Sequence, residues 1–209
     1  MKLYSYVVTH DTGFAPNPFF GYCTLACCKP AIRRTAQKGD WIVGLTSKTK
    51  EKKIIYFMRV DDVMESFADY WIDKRFGVKK SNNEDGVRGR RGDNIYEPMT
   101  SGGYRQLRSR HSNGDAENEE NKAHDLRGRR VLISETFAYF GSQSLPLPAE
   151  LRSLAVSRGH RCRFPEEVKL EFIRFTERLR FGVQGAPECW PVDDDSWTNK
   201  CGRKPREKK

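Results

Sequence analysis

Four short segments rich in β-branched and aromatic residues carry most of the strand-forming potential of this chain. They are residues 3–9, 41–46, 54–64 and 131–140. Runs of this length between glycine, proline or lysine-rich turns are typical of strands in a sheet. Three helices are predicted at residues 30–38, 148–158 and 165–181, each beginning with proline and followed by glycine. The order of these elements predicts an α+β domain whose sheet is built from both ends of the chain.

The sequence does not indicate a membrane or secreted protein. Its longest clean apolar run, residues 54–58, is far short of the ~20 residues that a spanning helix needs. Residues 1–8 are mixed with polar side chains and indicate a strand rather than a secretory signal. The six cysteines, with Cys27 and Cys28 adjacent, do not resemble a disulfide framework. We therefore expect a cytoplasmic protein in a reducing compartment, with no membrane partner.

The composition indicates a folded, basic protein. Twelve Phe, eight Tyr and four Trp among 209 residues can fill a hydrophobic core. We predict one domain at residues 1–190, with mobile charged loops within 78–130, and a basic flexible tail at residues 191–209. The formal net charge is +10, and residues 199–209 hold six Lys or Arg and one Glu. This excess indicates a nucleic acid or nucleotide as partner, although a merely solvated tail would show the same pattern.

The first candidate site is the basic start of the helix predicted at residues 30–38. Backbone N–H groups at a helix N-terminus attract anions, and basic side chains beside them add positive charge. The candidate phosphate-binding residues are Lys29, Arg33, Arg34 and Arg75. The alternative interpretation is an ordinary helix whose arginines are solvated.

The second candidate site is the cysteine cluster before this helix. A helix dipole lowers the pKa of a thiol at its N-terminus, so Cys28 is a candidate nucleophile. The histidines that could act as its base are His10, His111 and His124, of which we select His10 and His124, with Asp11 or Asp125 as the orienting acid. Core packing of the thiols and metal binding are the alternatives. We predict no metal site, because the paired C-x-x-C spacing of zinc sites is missing.

The third candidate site is a pocket for a base. Stacking of a base on an aromatic side chain contributes about 1–3 kcal/mol. The candidate base-binding residues are Phe14 and Trp71 as walls, and Asp11, Asn17 and Asp73 as partners of the base edge. The alternatives are core packing for the aromatic side chains and an Asx turn for Asp11.

Several stretches resemble a known family. They are residues 6–21 (YVVTHDTGFAPNPFFG), 23–30 (CTLACCKP), 92–96 (GDNIY) and 139–141 (YFG). They are similar to the second family of nucleotide modification associated domains, which phages and bacteria encode near DNA base-modification genes. The resemblance covers residues 1–185. It implies a role in a DNA base-modification system, a base-modification enzyme as a further partner, and the host cytoplasm as the location if the gene is phage-encoded.

A looser resemblance is to the PUA-like folds, which include the EVE and YTH binders of modified bases. In those folds a strand leads through a short helix to a Gly-Asp pair and two further strands. The same order is found here in residues 3–9, 30–38, 39–40, 41–46 and 54–64, and an aromatic stretch follows at residues 69–76. The resemblance implies a curved mixed β-sheet or pseudobarrel with peripheral helices. The loop 10–23 and the segment 78–130 have no counterpart in it, so no pocket residue is carried over.

Three functions are compatible with these patterns. The first is a module that binds a modified or flipped base, where stacking offsets a flipping cost of a few kcal/mol. The second is an enzyme that modifies a nucleotide or DNA base through Cys28. The third is a non-catalytic protein that recruits a modification enzyme. The chain has no Walker-type phosphate loop and no G-x-G-x-x-G motif, and its sequence does not identify a cofactor.

Overall fold

The computed structural model of the protein describes residues 1–47 and 51–189. Within these ranges the α-helices are α1 Pro30–Thr35, α2 Phe67–Ile72, α3 Gly86–Arg90, α4 Glu119–Leu126 and α5 Glu166–Glu177. The strands are β1 Leu3–Val8, β2 Cys23–Leu25, β3 Trp41–Thr46, β4 Lys53–Arg59, β5 Asp62–Met64, β6 Tyr96–Pro98, β7 Tyr104–Gln106, β8 Val131–Ser134, β9 Phe137–Tyr139, β10 Leu145–Pro146, β11 His160–Arg161 and β12 Gly182–Val183. Short 3-10 helices lie at Lys74–Lys79, Gly141–Gln143 and Ala149–Leu154. No helix in these ranges is long and apolar enough to cross a membrane.

The largest sheet is mixed and has the strand order β11-β1-β3-β4-β9-β12, with β10 paired to β4. The pairs β1–β3 and β9–β12 are parallel, and the other neighbours are antiparallel. Strands from the C-terminal part of the chain therefore flank strands from its beginning, which confirms the predicted α+β class. The sheets formed by the described residues are open and close no barrel, so the predicted PUA-like pseudobarrel is not confirmed. The predicted tail, residues 191–209, lies outside the described residues.

Two smaller sheets, β2-β8-β5 and β6-β7, accompany the large one. The strand predicted at residues 54–64 divides into β4 and β5, and the one predicted at residues 131–140 divides into β8 and β9, because both segments leave one sheet for another. The Asp61 carboxylate accepts the N–H groups of Glu135 and Thr136 at 2.9 and 2.8 Å, and so joins the two crossing points. Strand-forming residues lie on both sides of each crossing, so the local pattern does not reveal it.

The core occupies both faces of the large sheet. On one face, Ile42 and Met58 pack with Ile32 of α1. On the other face, Phe57 lies against Phe172 of α5 with ring centroids 6.0 Å apart. The apolar face of the amphipathic helix α5 thus packs against the sheet.

Gly44 of β3 permits a close approach that leads towards the functional site. A Cβ atom at this position would lie 2.3 Å from the ring of Tyr56. The Tyr56 hydroxyl is 2.8 Å from that of Tyr6 on β1. The packing at Gly44 therefore sets the position of Tyr6, which lines the cavity described below.

The segment 78–130 contains α3, β6, β7 and α4, where the sequence indicated charged loops. Its anchors Ile95 and Tyr96 are fully buried in a third cluster with Phe67 and Tyr70 of α2. The rest of the segment packs against the protein beside Ile95 and Tyr96. It carries several residues of the candidate site.

Candidate active site

Cys28 lies at a sharp bend between β2 and α1. Cys28 and Lys29 both have left-handed backbone conformations, with φ angles of 60° and 42°. Such conformations cost a non-glycine residue about 1–3 kcal/mol and persist where the surroundings hold them. The Cys28 N–H donates to Asp125 Oδ1 at 2.6 Å, and Arg33 Nε donates to the Cys28 carbonyl at 2.8 Å. Hydrogen bonds of the Cys28 N–H and of the Cys28 carbonyl therefore hold the backbone that carries the thiol.

The side chains of Cys28, His111 and Asp125 form a hydrogen-bonded chain. Cys28 Sγ is 3.5 Å from His111 Nε2, and His111 Nδ1 is 2.6 Å from Asp125 Oδ2. This is the order of a nucleophile, a base and an orienting acid in cysteine and serine enzymes. The three residues come from the bend before α1, the loop before α4 and α4 itself, so the site joins distant parts of the chain.

Asp125 is completely buried and fully used as an acceptor. Its Oδ1 accepts the Cys28 N–H, and its Oδ2 accepts the hydroxyl of Tyr96 at 2.8 Å as well as His111 Nδ1–H. Burial raises the pKa of Asp125, but the hydrogen bond and charge of His111 outweigh it and hold this pKa below its usual value. The carboxylate is therefore ionised and keeps the imidazole ring oriented.

His111 is the charged partner of this carboxylate. Burial lowers the pKa of His111, but the hydrogen bonds to Asp125 and Cys28 outweigh burial and raise this pKa to about 10. At neutral pH the ring is therefore an imidazolium, whose Nε2–H is directed at the Cys28 sulfur. A neighbouring imidazolium stabilises a thiolate, which is the nucleophilic form of cysteine.

A cavity of about 190 Å³ opens beside the thiol. Its apolar wall includes Tyr6, Val8 and Phe14, and the Phe14 ring lies 4.8 Å from the ring of His111. Lys29 and Arg110 add positive charge to its lining. The cavity thus combines a cysteine side chain, an aromatic wall and cations.

Comparison with known proteins shows the family of the chain. The family model for nucleotide modification associated domain 2 matches residues 1–194, which include every described residue. The chain belongs to this family. The predicted resemblance is confirmed, and the name nucleotide modification associated domain 2 implies involvement in nucleotide modification systems. Neither the curated proteins nor the solved structures include a significant match to the chain.

The three histidines that could act as the base lie in different surroundings. His111 contacts Cys28, whereas His10 is exposed at the edge of the same cavity. His124 is exposed, and its Nδ1 lies 3.3 Å from the Arg127 guanidinium. The geometry therefore favours His111 over the selected His10 and His124. The sequence could not rank them, because His111 opens a polar segment with no apolar anchor of its own.

Of the predicted base-binding residues, only Phe14 lines the cavity. Asp11 is buried, and its carboxylate accepts the Tyr139 hydroxyl and the Glu188 N–H at 3.1 Å. Asn17 is buried too, and it donates to the Arg91 carbonyl at 2.7 Å. These two side chains have structural partners in the loop and its surroundings.

The other two predicted base-binding residues lie elsewhere. The Trp71 ring packs 3.9 Å from the Lys80 ammonium group, and Asp73 forms an ion pair with Arg75. The structure does not bring Trp71 and Asp73 to the cavity. The aromatic stretch of residues 69–76 is directed by α2 towards the segment 78–130.

Among the predicted phosphate-binding residues, only Lys29 lines the cavity. Arg33 is completely buried and donates to backbone carbonyls, Arg34 donates to the Arg127 carbonyl at 3.0 Å, and Arg75 pairs with Asp62 and Asp73. Arg110, which is not among the predicted residues, also lines the cavity. Its position directly before His111 becomes informative only when His111 is known to contact Cys28.

A metal ion is a further occupant to consider. Ligand atoms of Cys27, His111 and Asp125 lie within 4.8 Å of one another. Zinc needs ligand distances of about 2.0–2.3 Å. Burial raises the pKa of the Cys27 thiol well above its ordinary value, and His111 and Asp125 are already paired with each other. Metal binding would therefore have to break the hydrogen-bonded chain that contains Cys28.

Cys23, Cys27, Cys28 and Cys162 are free thiols, whereas Cys189 is disulfide-bonded, contrary to the expectation of reduced cysteines.

Proposed function

We propose that the protein is a cysteine-dependent enzyme that modifies a nucleotide or a nucleic-acid base. The observation that carries this proposal is the hydrogen-bonded chain Cys28–His111–Asp125 beside a cavity with an aromatic wall. Membership of the nucleotide modification associated domain 2 family supports the nucleotide as the chemical context.

The geometry supports covalent catalysis at Cys28. The thiolate attacks an electrophilic carbon of the substrate, the bond from that carbon to a leaving group breaks, and the leaving group takes the proton of His111 Nε2. The neutral imidazole then accepts a proton from water or another acceptor nucleophile, which attacks the same carbon and releases the thiolate. Asp125 keeps Nδ1 protonated throughout, so that Nε2 is the atom that exchanges the proton.

The size of the cavity limits what enters it. Sites for drug-sized ligands usually have volumes of ~300–1,000 Å³. A volume of about 190 Å³ is smaller and suits the reacting part of a substrate, such as one base, with the remainder outside. Phe14 and Tyr6 line the cavity with aromatic side chains that are themselves 2% and 1% exposed.

The test is mass spectrometry of nucleosides from cells that express the full chain. Cys28→Ser and His111→Ala should abolish any new or lost modified nucleoside, because each removes one reacting group. Cys162→Ser is the matched control, since Cys162 is a half-buried free thiol that is not among the residues lining the cavity. An identical nucleoside profile for wild type and Cys28→Ser, in the presence of a wild-type effect, refutes the proposal.

The same cavity supports a second candidate function, which is binding of a modified base in a PUA-like pocket without catalysis. The observation that favours it is the aromatic wall of Phe14 and Tyr6 next to cations. In this case Cys28→Ser retains the biological effect on DNA, while Phe14→Ala removes both base binding and the effect. Thermal unfolding of Phe14→Ala would separate loss of binding from loss of fold.

A further inference from the structure

Two cations line the cavity without a carboxylate to balance them. Lys29 and Arg110 are half-buried, and neither forms an ion pair within the part of the chain that the structure describes. Burial lowers the pKa of Lys29 and that of Arg110, which shows that both charges lose hydration at this place. A half-buried cation is costly unless an opposite charge compensates it.

The surroundings add further positive charge. Arg91 is completely buried, and burial, followed by the charges of Arg110 and Arg90, lowers its pKa to about 10. The positive charge of Arg91 therefore lies near that of Arg110. No aspartate or glutamate is among the described residues that line the cavity. Asp125, behind His111, is compensated by the imidazolium.

We propose that Lys29 and Arg110 form a seat for a phosphate group, and that the substrate of Cys28 is a phosphate-bearing nucleotide rather than a free base or nucleoside. This inference rests on the proposed function for the role of Cys28. The binding of the anion itself requires no reaction at Cys28.

The arrangement of the lining fits such a ligand. The Lys29 ammonium lies 4.8 Å from the centre of the Tyr6 ring, at the boundary between the aromatic wall and the polar part of the cavity. A phosphate group that enters the cavity would meet these two cations. Two donors with full charges suit phosphate oxygens, because charge-assisted hydrogen bonds are stronger than neutral ones. The phosphate could belong to a free nucleotide or to a DNA strand.

Calorimetric titration of the full chain at low ionic strength tests the seat. The ligands are inorganic phosphate, the four deoxynucleoside monophosphates, the matching nucleosides and a short single-stranded oligodeoxynucleotide. We expect at least one phosphate-bearing ligand to bind about tenfold or more tightly than its nucleoside, as expected for one or two charge-assisted hydrogen bonds. Tight binding of the monophosphate identifies the free nucleotide, and tight binding of the oligonucleotide alone identifies a DNA strand.

Variants then assign the effect to the two side chains. Lys29→Met and Arg110→Met should each lose about tenfold in affinity for the phosphate-bearing ligand, whereas Lys29→Arg should retain it. Lys38→Met and Arg163→Gln are matched controls, because they remove the same charges at exposed positions outside the cavity. Thermal unfolding of every variant checks the fold. If a variant does not fold, the comparison of nucleotide with nucleoside on the wild type still decides the question.

Equal affinity for nucleotide and nucleoside, or undiminished nucleotide affinity in both folded Met variants, overturns the phosphate seat. This result is distinguishable from failure of the proposed function, since Cys28→Ser should still bind the nucleotide more tightly than its nucleoside while producing no modification. Nucleotide binding with no role for Cys28 would therefore leave the seat in place and remove only the catalytic proposal.

Discussion

At the scale of single residues, His111 determines what chemistry the site can support. Its two ring nitrogens contact Cys28 and Asp125, and these contacts raise its pKa despite burial. The folded protein therefore binds a proton on His111 at a pH where the unfolded chain has released it. Proton binding to the folded state alone stabilises that state.

Comparison of wild type with His111→Asn should reveal this linkage. The pKa of His111 rises from 6.5 to about 10 on folding, so the stabilisation is complete below pH 6.5 and is lost as the pH rises towards 10. We expect the difference in unfolding free energy between the two proteins to shrink over this range. Urea unfolding at a series of pH values measures it.

His124→Asn is the matched control for this measurement. Burial lowers the pKa of the largely exposed His124, so a decline of the same sign should not occur. A difference between wild type and His111→Asn that stays constant or grows with pH would contradict the raised pKa, and with it the imidazolium beside Cys28.

At the scale of elements, the short helix α1 holds the backbone of Cys28 through Arg33. Its guanidinium donates to the carbonyl oxygens of Cys28 and Arg130, both at 2.8 Å, and to that of Asp125. A Cβ atom on Gly128 would lie 2.2 Å from the Arg33 guanidinium carbon. Arg33 is therefore a positioning residue that joins the backbone of Cys28 to that of Asp125.

Arg33→Lys should destabilise the protein more than the neighbouring Arg34→Lys. A lysine ammonium cannot reach three separate carbonyl groups in this geometry, and each buried group left without a partner costs about 1–3 kcal/mol. We expect a loss of about 2–5 kcal/mol in unfolding free energy for Arg33→Lys, and a change within about 0.5 kcal/mol for the exposed Arg34→Lys. Similar losses for both variants in urea unfolding would mean that Arg33 does not hold the bend.

At the scale of the whole molecule, the site exists only because the segment 78–130 packs against the N-terminal loop. Completely buried Lys79 joins the two, since its ammonium donates to the carbonyls of Asn17 and Tyr22 at 3.1 and 2.9 Å and to Asn17 Oδ1 at 2.6 Å. The charge of buried Asp93 acts on Lys79, and the Asp93 carboxylate accepts the hydroxyl of Thr24 at 2.7 Å. This polar network connects the N-terminal loop to the segment that carries His111.

Lys79→Met should weaken the whole structure and slow alkylation of Cys28. The substitution leaves buried acceptors and the Asp93 charge uncompensated, which typically costs ~3–5 kcal/mol. Lys80→Met is the control, because Lys80 is half-buried over Trp71 and outside this network. Unfolding free energies and the rate of Cys28 modification by iodoacetamide measure both effects. Equal stability of the two variants would show that the network does not hold the segment in place.

Local patterns in the sequence predicted much of the fold. Residues 41–46 form β3 as predicted, and the predicted helices at 30–38 and 165–181 correspond to the shorter α1 and α5. The segment predicted as a helix at 148–158 forms a 3-10 helix, Ala149–Leu154. These elements were predictable because apolar spacing, proline and glycine act within a few residues. The division of two predicted strands between sheets depends on tertiary pairing.

For the candidate site, the sequence by itself was enough to select Cys28 and Lys29 as candidates, since both lie in the local bend before α1. Only the tertiary structure decided that His111 and Asp125 are the partners, and that Arg33 holds carbonyls instead of an anion. Cys28 lies 83 residues from His111 and 97 from Asp125 in the chain. No periodicity acts over such distances, so these contacts follow from the burial of Ile95 and Tyr96, which brings the segment 78–130 against Cys28.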